Sequence, residues 1–155
     1  METTTREEGS VLIVDDESGV RSSLAGFLKD HGYQGIAVAG AAQALLELEK
    51  KHIQLALVDV WLPGEDGIAL LEEIKTRWPD TAVIVMSGNA TIDLAVRATK
   101  LGAYDFLEKP IDPEKLIITM RRAIEMERLK DETSRLRAEG LTPILGESAN
   151  MKRLM

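Results

Sequence analysis

The sequence predicts an α/β fold: a doubly wound parallel sheet of five strands with an extended helix at the C-terminal end. Two observations predict it. Short apolar runs of strand length alternate five times with stretches whose apolar residues recur at helical spacing. Such alternation gives a parallel sheet covered on both faces through right-handed crossovers. The strand runs also pass into polar residues at their carboxyl ends, which this topology collects on one edge. That edge receives Asp15, Asp16, Asp59, Ser87 and Lys109, and in open α/β sheets it is where ligands bind.

Ser10 to Val14 (SVLIV) is a buried-strand run that ends in Asp15, Asp16 and Glu17. Val20, Leu24, Phe27 and Leu28 then recur at helical spacing from Ser18 to His31, and Gly32 supplies a stop. Tyr33 to Ala39 reads as a second strand, and Ala41 to Lys51 as a second helix with Ala44, Leu45 and Leu48 inward. Ile53 to Asp59 is the third strand, followed by a Pro-Gly turn and a helix from Asp66 to Arg77 carrying Ile68, Leu70, Leu71 and Ile74. Thr81 to Met86 is a fourth buried strand, leading through Ser87-Gly88-Asn89 to a helix from Thr91 to Leu101 that Gly102 closes. Ala103 to Leu107 makes a short fifth strand and delivers Glu108-Lys109-Pro110.

The last helix starts near Asp112-Pro113-Glu114 and keeps a helical pattern to about Glu139, too long for one compact domain. Ile117, Met120 and Ile124 form one apolar stripe; Met126, Leu129, Thr133 and Leu136 form another, displaced by two positions. Two positions correspond to roughly 200° around a helix of 3.6 residues per turn. The second stripe therefore faces away from the chain's own sheet. It reads either as a short seam for a partner helix, which would make the protein a homodimer, or as a solvated, fraying charged helix.

A chain of 155 residues suits one domain with an appendage. Its 45% apolar and 29% charged residues are those of a water-soluble globular protein. A net charge of -7 argues against attraction to nucleic acid phosphates by this portion. Without cysteine there are no disulfides, no thiolate catalysis and no Cys-ligated zinc. No apolar run reaches the roughly 18 residues of a membrane span, and METTTREEGS lacks a signal pattern. The expectation is a cytoplasmic protein with a disordered lead-in over residues 1–9.

Three carboxylates in one pocket repel each other unless a cation joins them. Mg²⁺ suits the place: it is held by one or two carboxylates, keeps waters and takes further ligands from phosphate oxygens. A carboxylate can also attack phosphorus to give an acyl phosphate. Phosphoryl transfer needs mainly positioning and charge neutralisation, for which Lys109 offers a point charge and Ser87 a hydroxyl donor.

VLIVDDE, LVDVWLPGEDG, VIVMSGNAT and GAYDFLEKP resemble, in order, the signature segments of the response-regulator receiver domain of two-component signalling. The likeness runs from Val11 to about Glu125, so residues 10–125 are the expected receiver domain. It implies a flavodoxin/CheY-like (βα)5 fold and a phosphoryl group received on Asp59 from a sensor histidine kinase. It further implies that Asp15, Asp16, Asp59 and the backbone carbonyl of Trp61 hold Mg²⁺, and that Ser87 and Lys109 contact the phosphoryl group. Lys109-Pro110 is expected to be cis. Ser87 and Phe106 match the switch positions, Phe106 replacing the commoner tyrosine. The family implies that Ser87 moves inward on phosphorylation and the Phe106 ring follows.

GAYDFLEKP with the long last helix is similar to the receivers of nitrogen-regulation-type (NtrC/NtrX-like) activators. Those couple a receiver and linker helix, here residues 126–140, to an AAA+ ATPase acting on sigma-54 RNA polymerase and to a DNA-binding domain. ILGESANMKRLM resembles the first residues of that ATPase, making 141–155 the start of a truncated domain. No GxxxxGK[ST] loop is present, so this fragment is not expected to use ATP.

Taken singly, each acid is a strand-end or cap carboxylate, Ser87 a turn serine and Lys109 a surface lysine; it is their joint placement that points to chemistry. Glu17, Glu65, Asp66, Asp105 and Asp112 read as caps and solvated charges. His31, His52, Trp78, Met120 and Met126 read as structural, and Trp61 as a shield of the site or a loop cover. Two rival functions are a Mg²⁺-dependent aspartyl phosphohydrolase and a stand-alone receiver acting by protein contact. The first resembles a DxD nucleophile motif, but the second position after Asp59 is Trp61, which cannot serve as an acid/base.

Overall fold

A computed structural model describes residues 9–62, 64–89 and 91–138, apart from the side chains of 131–138. Residues 1–8 of the expected lead-in, the end of the linker from 139, and the ATPase-like segment 141–155 lie outside the described residues, as do the side chains of Thr133 and Leu136.

The elements run β1 (Gly9–Val14), α1 (Ser18–Asp30), β2 (Tyr33–Val38), α2 (Ala41–Lys50), β3 (Leu55–Asp59), β4 (Trp61–Leu62), β5 (Glu65–Asp66), α3 (Gly67–Arg77), β6 (Ala82–Ser87), α4 (Ile92–Lys100), β7 (Asp105–Glu108) and α5 (Pro113–Ala138). Five strands form one parallel sheet in the order β2-β1-β3-β6-β7. The order reverses direction beside β1 and β3, so the crevice above their carboxyl ends is the topological switch point. The fold is the doubly wound, five-stranded parallel sheet that the strand and helix pattern predicts. β1 begins at Gly9, one residue inside the expected lead-in.

Side chains alternate across each strand, so the sheet builds two cores. Leu12, Val14, Val58, Val83 and Val85 face α2, α3 and α4, meeting Ala44, Leu48, Leu71, Ile74 and Ala98. Val11, Ile13, Leu55, Leu57, Ile84 and Met86 face α1 and α5, meeting Leu24, Leu28, Leu116 and Met120. The central strands are buried on both faces, which is why they read as unbroken apolar runs rather than alternating ones. In α5 the predicted Ile117 and Met120 are buried, and Leu116 and Ala123 join them.

The loop after β3 holds an element the sequence did not suggest. β4 and β5 pair antiparallel, Trp61 opposite Asp66 and Leu62 opposite Glu65. Asp66 then caps α3 by accepting a hydrogen bond from the Ile68 amide at 2.9 Å. Glu65 does not cap its own helix. Its Oε1 accepts from the Ala41 amide at 2.9 Å and so serves α2, whose N-cap is Gly40 and has no side chain to offer. Glu17, also expected as a cap, stands at the N-cap of α1 without a capping side-chain bond.

The chain divides into two compact units after Ile124. In the second, α5 runs on to Ala138, with Met126 and Leu129 each close to half exposed and a Glu125–Arg128 ion pair at 2.7 Å. Among the described residues no helix is long and apolar enough to cross a membrane.

Candidate functional site

Asp59 is the last residue of β3 and Asp15 the first after β1, so adjacent parallel strands bring them together at the same height. Both are buried, whereas Asp16 is exposed. One carboxylate oxygen from each of the three lies within 4.8 Å of the others. Lys109, which follows β7, reaches across: its Nζ donates to Asp15 Oδ2 at 2.7 Å and to Asp59 Oδ2 at 3.0 Å.

The backbone completes the arrangement. Asp15 Oδ1 accepts from the Glu17 amide at 2.9 Å, and Asp59 Oδ1 from the Trp61 amide at 3.1 Å. The Asp15 amide donates to Val38 O at 3.1 Å, while Arg21 Nη1 donates to the Asp15 carbonyl at 2.8 Å. Gly67 N donates to Val60 O, folding the hairpin tightly back on β3. A methyl group on Gly67 would overlap the Asp59 carbonyl oxygen, so the close return to the strand end requires glycine there.

Charge in the pocket is balanced unevenly. Burial pushes the Asp59 carboxyl above its ordinary value, and the Asp15 charge adds to this; the bonds from Lys109 and the Trp61 amide oppose it without prevailing. For Lys109, burial favours the neutral amine, but the bonds to Asp15 and Asp59 together outweigh it and hold the ammonium above the ordinary lysine value. One lysine thus faces three acids. The remaining lone pairs are all carboxylate oxygens, the donor set of a hard divalent cation such as Mg²⁺.

Ser87 ends β6 and is wholly buried, its Oγ accepting from the Asn89 amide at 3.0 Å. Its carbonyl accepts from the Lys109 amide at 2.8 Å, which ties the end of β6 to the residue after β7. The Lys109–Pro110 peptide is cis. Phe106 on β7 is half-buried against the core shared by α2, α3 and α4. Trp61, two residues after Asp59, is 59% exposed. Asp112 caps α5 by accepting from the Glu114 amide, whereas Asp105 opens β7 and accepts from the next amide, that of Phe106. His31 packs on Phe27, and Trp78 lies beneath the Arg77 guanidinium.

Three contacts around this site leave little signal in the sequence. Gly67 falls inside the helix predicted from Asp66 to Arg77, where nothing in the sequence marks its close approach to the end of β3. Glu65 reads as a cap or solvated charge, and it is a cap, but of α2, 24 residues away in the sequence. Arg21 carried a weak signal: it lies one turn into a helix that starts at the acidic loop, and helical side chains lean toward the helix N-terminus.

The response regulator receiver domain model matches residues 11–121. The chain is 43% identical over 142 residues to an NtrX-like response regulator of Rickettsia bellii, covering 89% of this chain and 30% of that protein. The crystal structure of NtrX from Brucella abortus in complex with ADP superposes with a TM-score of 0.78 at 39% identity, over 90% of this chain and 31% of that one. The solution structure of the beryllofluoride-activated NtrC4 receiver domain dimer superposes with a TM-score of 0.73 at 37% identity, over 76% of this chain and 98% of that one. The chain thus spans about a third of the length of the NtrX relatives it matches. With a family match over most of its length and relatives of the NtrX and NtrC type, the chain belongs to the response regulator receiver domain family.

Proposed function

We propose that Asp59 is the phosphoacceptor of a two-component switch. The observation that carries this reading is the Asp15–Lys109–Asp59 cluster above the switch point of the sheet, with Asp16 alongside. Asp15, Asp16 and Asp59, with the Trp61 carbonyl, would hold Mg²⁺, which when bound supplies charge neutralisation on the transferred phosphoryl oxygens.

An Asp59 carboxylate oxygen attacks the phosphorus of a phosphohistidine on a sensor kinase. The P–O bond forms, the P–N bond breaks, and its electron pair returns to the imidazole. Lys109 then exchanges its bond to Asp59 for one to a phosphoryl oxygen, and the Ser87 hydroxyl donates to another. As Ser87 moves inward, Phe106 follows into the space vacated. A population shift from 1:99 to 99:1 needs about 5.5 kcal/mol of differential stabilisation, the order of a few charge-assisted hydrogen bonds.

The output reading is a dimerisation change that controls an attached sigma-54 activator ATPase, and through it transcription from DNA. The NtrX and NtrC relatives support it, as does the receiver dimer described for NtrC4. Exposed apolar side chains around the β7 edge of the sheet offer a contact face: Ile92 at 82% and Val96 on α4, Tyr104 before β7 and Ile118 on α5.

Titration with beryllofluoride and Mg²⁺ tests the reading. The wild-type chain should change its tryptophan fluorescence and its dimer fraction, and Asp59→Asn should do neither. A silent wild type overturns the proposal.

A further inference from the structure

Asp15 has every polar group engaged: its amide, its carbonyl and both carboxylate oxygens each have a partner. Asp16 is the opposite case. Its carboxylate is exposed and, among the described residues, makes no side-chain hydrogen bond, yet it stands within 4.8 Å of the Asp15 and Asp59 oxygens. What aims it is therefore the backbone. The peptide joining Asp15 to Asp16 sets the direction of the Asp16 Cα–Cβ bond, and the carbonyl of that peptide is the group that Arg21 Nη1 grips at 2.8 Å.

We propose that Arg21 is a positioning residue of the metal site, holding the Asp15–Asp16 peptide so that the Asp16 carboxylate is directed at the cation. The inference rests on the metal-site reading above. Arg21 is the fourth residue of α1, and its side chain leans back over the first turn to reach the loop that precedes the helix. Its own amide stays in the helix, donating to Glu17 O at 3.1 Å, so the backbone contact survives replacement of the side chain. Rotation of an unheld peptide would cost the carboxylate its aim without unfolding anything.

Charge alone predicts the reverse. A guanidinium this near a cation site repels the cation, so removing it should tighten Mg²⁺ binding if Arg21 acted only through its charge. Positioning predicts weaker binding. The sign of the effect separates the two.

The test is a Mg²⁺ titration of the full chain followed by tryptophan fluorescence and by the Mg²⁺-induced rise in Tm. Arg21→Met keeps the aliphatic stem and loses the donor. Its affinity should fall about tenfold, the low end of the loss on removing a group that orients a metal ligand, with the Tm in EDTA little changed. Arg21→Lys, which keeps one donor, should recover part of the loss. In an Asp16→Asn chain the same Arg21 substitutions should cost almost nothing more, because the carboxylate they aim is gone. Should Arg21→Met fail to fold, Arg21→Lys in both backgrounds carries the same comparison. Equal or tighter Mg²⁺ binding by the Arg21 variants, or an undiminished loss in the Asp16→Asn chain, overturns the proposal while leaving the metal site standing. A wild-type chain indifferent to Mg²⁺ overturns both.

Discussion

The ammonium group of Lys109 stands 3.0 Å from Asp59 Oδ2 and shares its protons with Asp15 Oδ2 at 2.7 Å, so a single cation serves two buried carboxylates. Replacing it by methionine keeps the length of the side chain and strands both charges. Breaking a buried pair from one side is costly because the partner stays desolvated. Lys109→Met should destabilise the metal-free protein by about 2 kcal/mol, measured by urea denaturation in EDTA, and saturating Mg²⁺ should return part of it. The folded state holds Lys109 above its ordinary 10.5, so its contribution is complete below that value and is lost only as pH rises beyond it. The cost should therefore be the same throughout the neutral range. A variant as stable as wild type would mean that the acids do not depend on this lysine.

Asp59 follows the opposite sign. Burial holds its carboxyl above the ordinary 3.8, so on raising the pH the unfolded chain ionises first and the folded state loses ground until the pH passes the folded value. Asp59→Asn removes that penalty and keeps an oxygen for the Trp61 amide, while Lys109 retains its bond to Asp15. The asparagine variant should melt higher than wild type at neutral pH in EDTA. The gap should close as the pH falls through the folded value and below the ordinary aspartate value, beneath which both states are protonated. Mg²⁺ should stabilise wild type and leave the variant unmoved. Parallel melting curves for the two proteins across this range would contradict the burial penalty.

Gly67 makes a geometric rather than an electrostatic prediction. A methyl group there would overlap the Asp59 carbonyl oxygen and lie 2.7 Å from Val60 Cα, both of them backbone atoms that cannot step aside. Gly67→Ala should cost about 1–3 kcal/mol, the range for overpacking a filled site, and should weaken Mg²⁺ binding because the end of β3 must shift. Gly26, on the exposed side of α1, has nothing within 4 Å of an added Cβ. There the same change should stabilise by up to about 1 kcal/mol through helix propensity. Equal melting temperatures for the two variants would refute the close-approach argument.

What was legible in the sequence, and what was not, divides along the range of the interaction. β1, β3 and β6 are buried on both faces and so appear as SVLIV, LALVD and AVIVM, runs that no other environment explains as simply. Asp15, Asp59 and Lys109 stood out because a charge at the end of such a run has few structural reasons to be there. The β4–β5 hairpin was hidden because strands of two residues have no period to detect. Glu65 caps a helix, as its residue type suggests, but which helix is hidden for a related reason. Its local sequence resembles a cap for α3, and only the hairpin turns it toward α2. Arg21 gives only a weak signal because its partner is a main-chain carbonyl, which leaves no trace in the residue type. The unequal burial of Asp15 and Asp16, neighbours in sequence, likewise depends on how the loop turns after β1.

The segment after Ile124 invites the last prediction. Met126 and Leu129 are three residues apart on α5, hence on one side of the helix, and are 45% and 49% exposed. Large apolar side chains kept half in water gain by burial against a second copy, about 1.5–3 kcal/mol for each one fully covered. Leu129→Asp would place a charge in such a seam and reverse that gain, so it should convert a dimeric chain to monomer by light scattering. Mg²⁺ and beryllofluoride binding should persist, because Asp15, Asp59 and Lys109 all belong to the first compact unit. Truncation after Ala123 should have the same effect on assembly. If the truncated and full chains share one oligomeric state with and without beryllofluoride, the apolar stripe is not a seam, and any dimer must form through the α4, β7 and α5 side chains of the receiver itself.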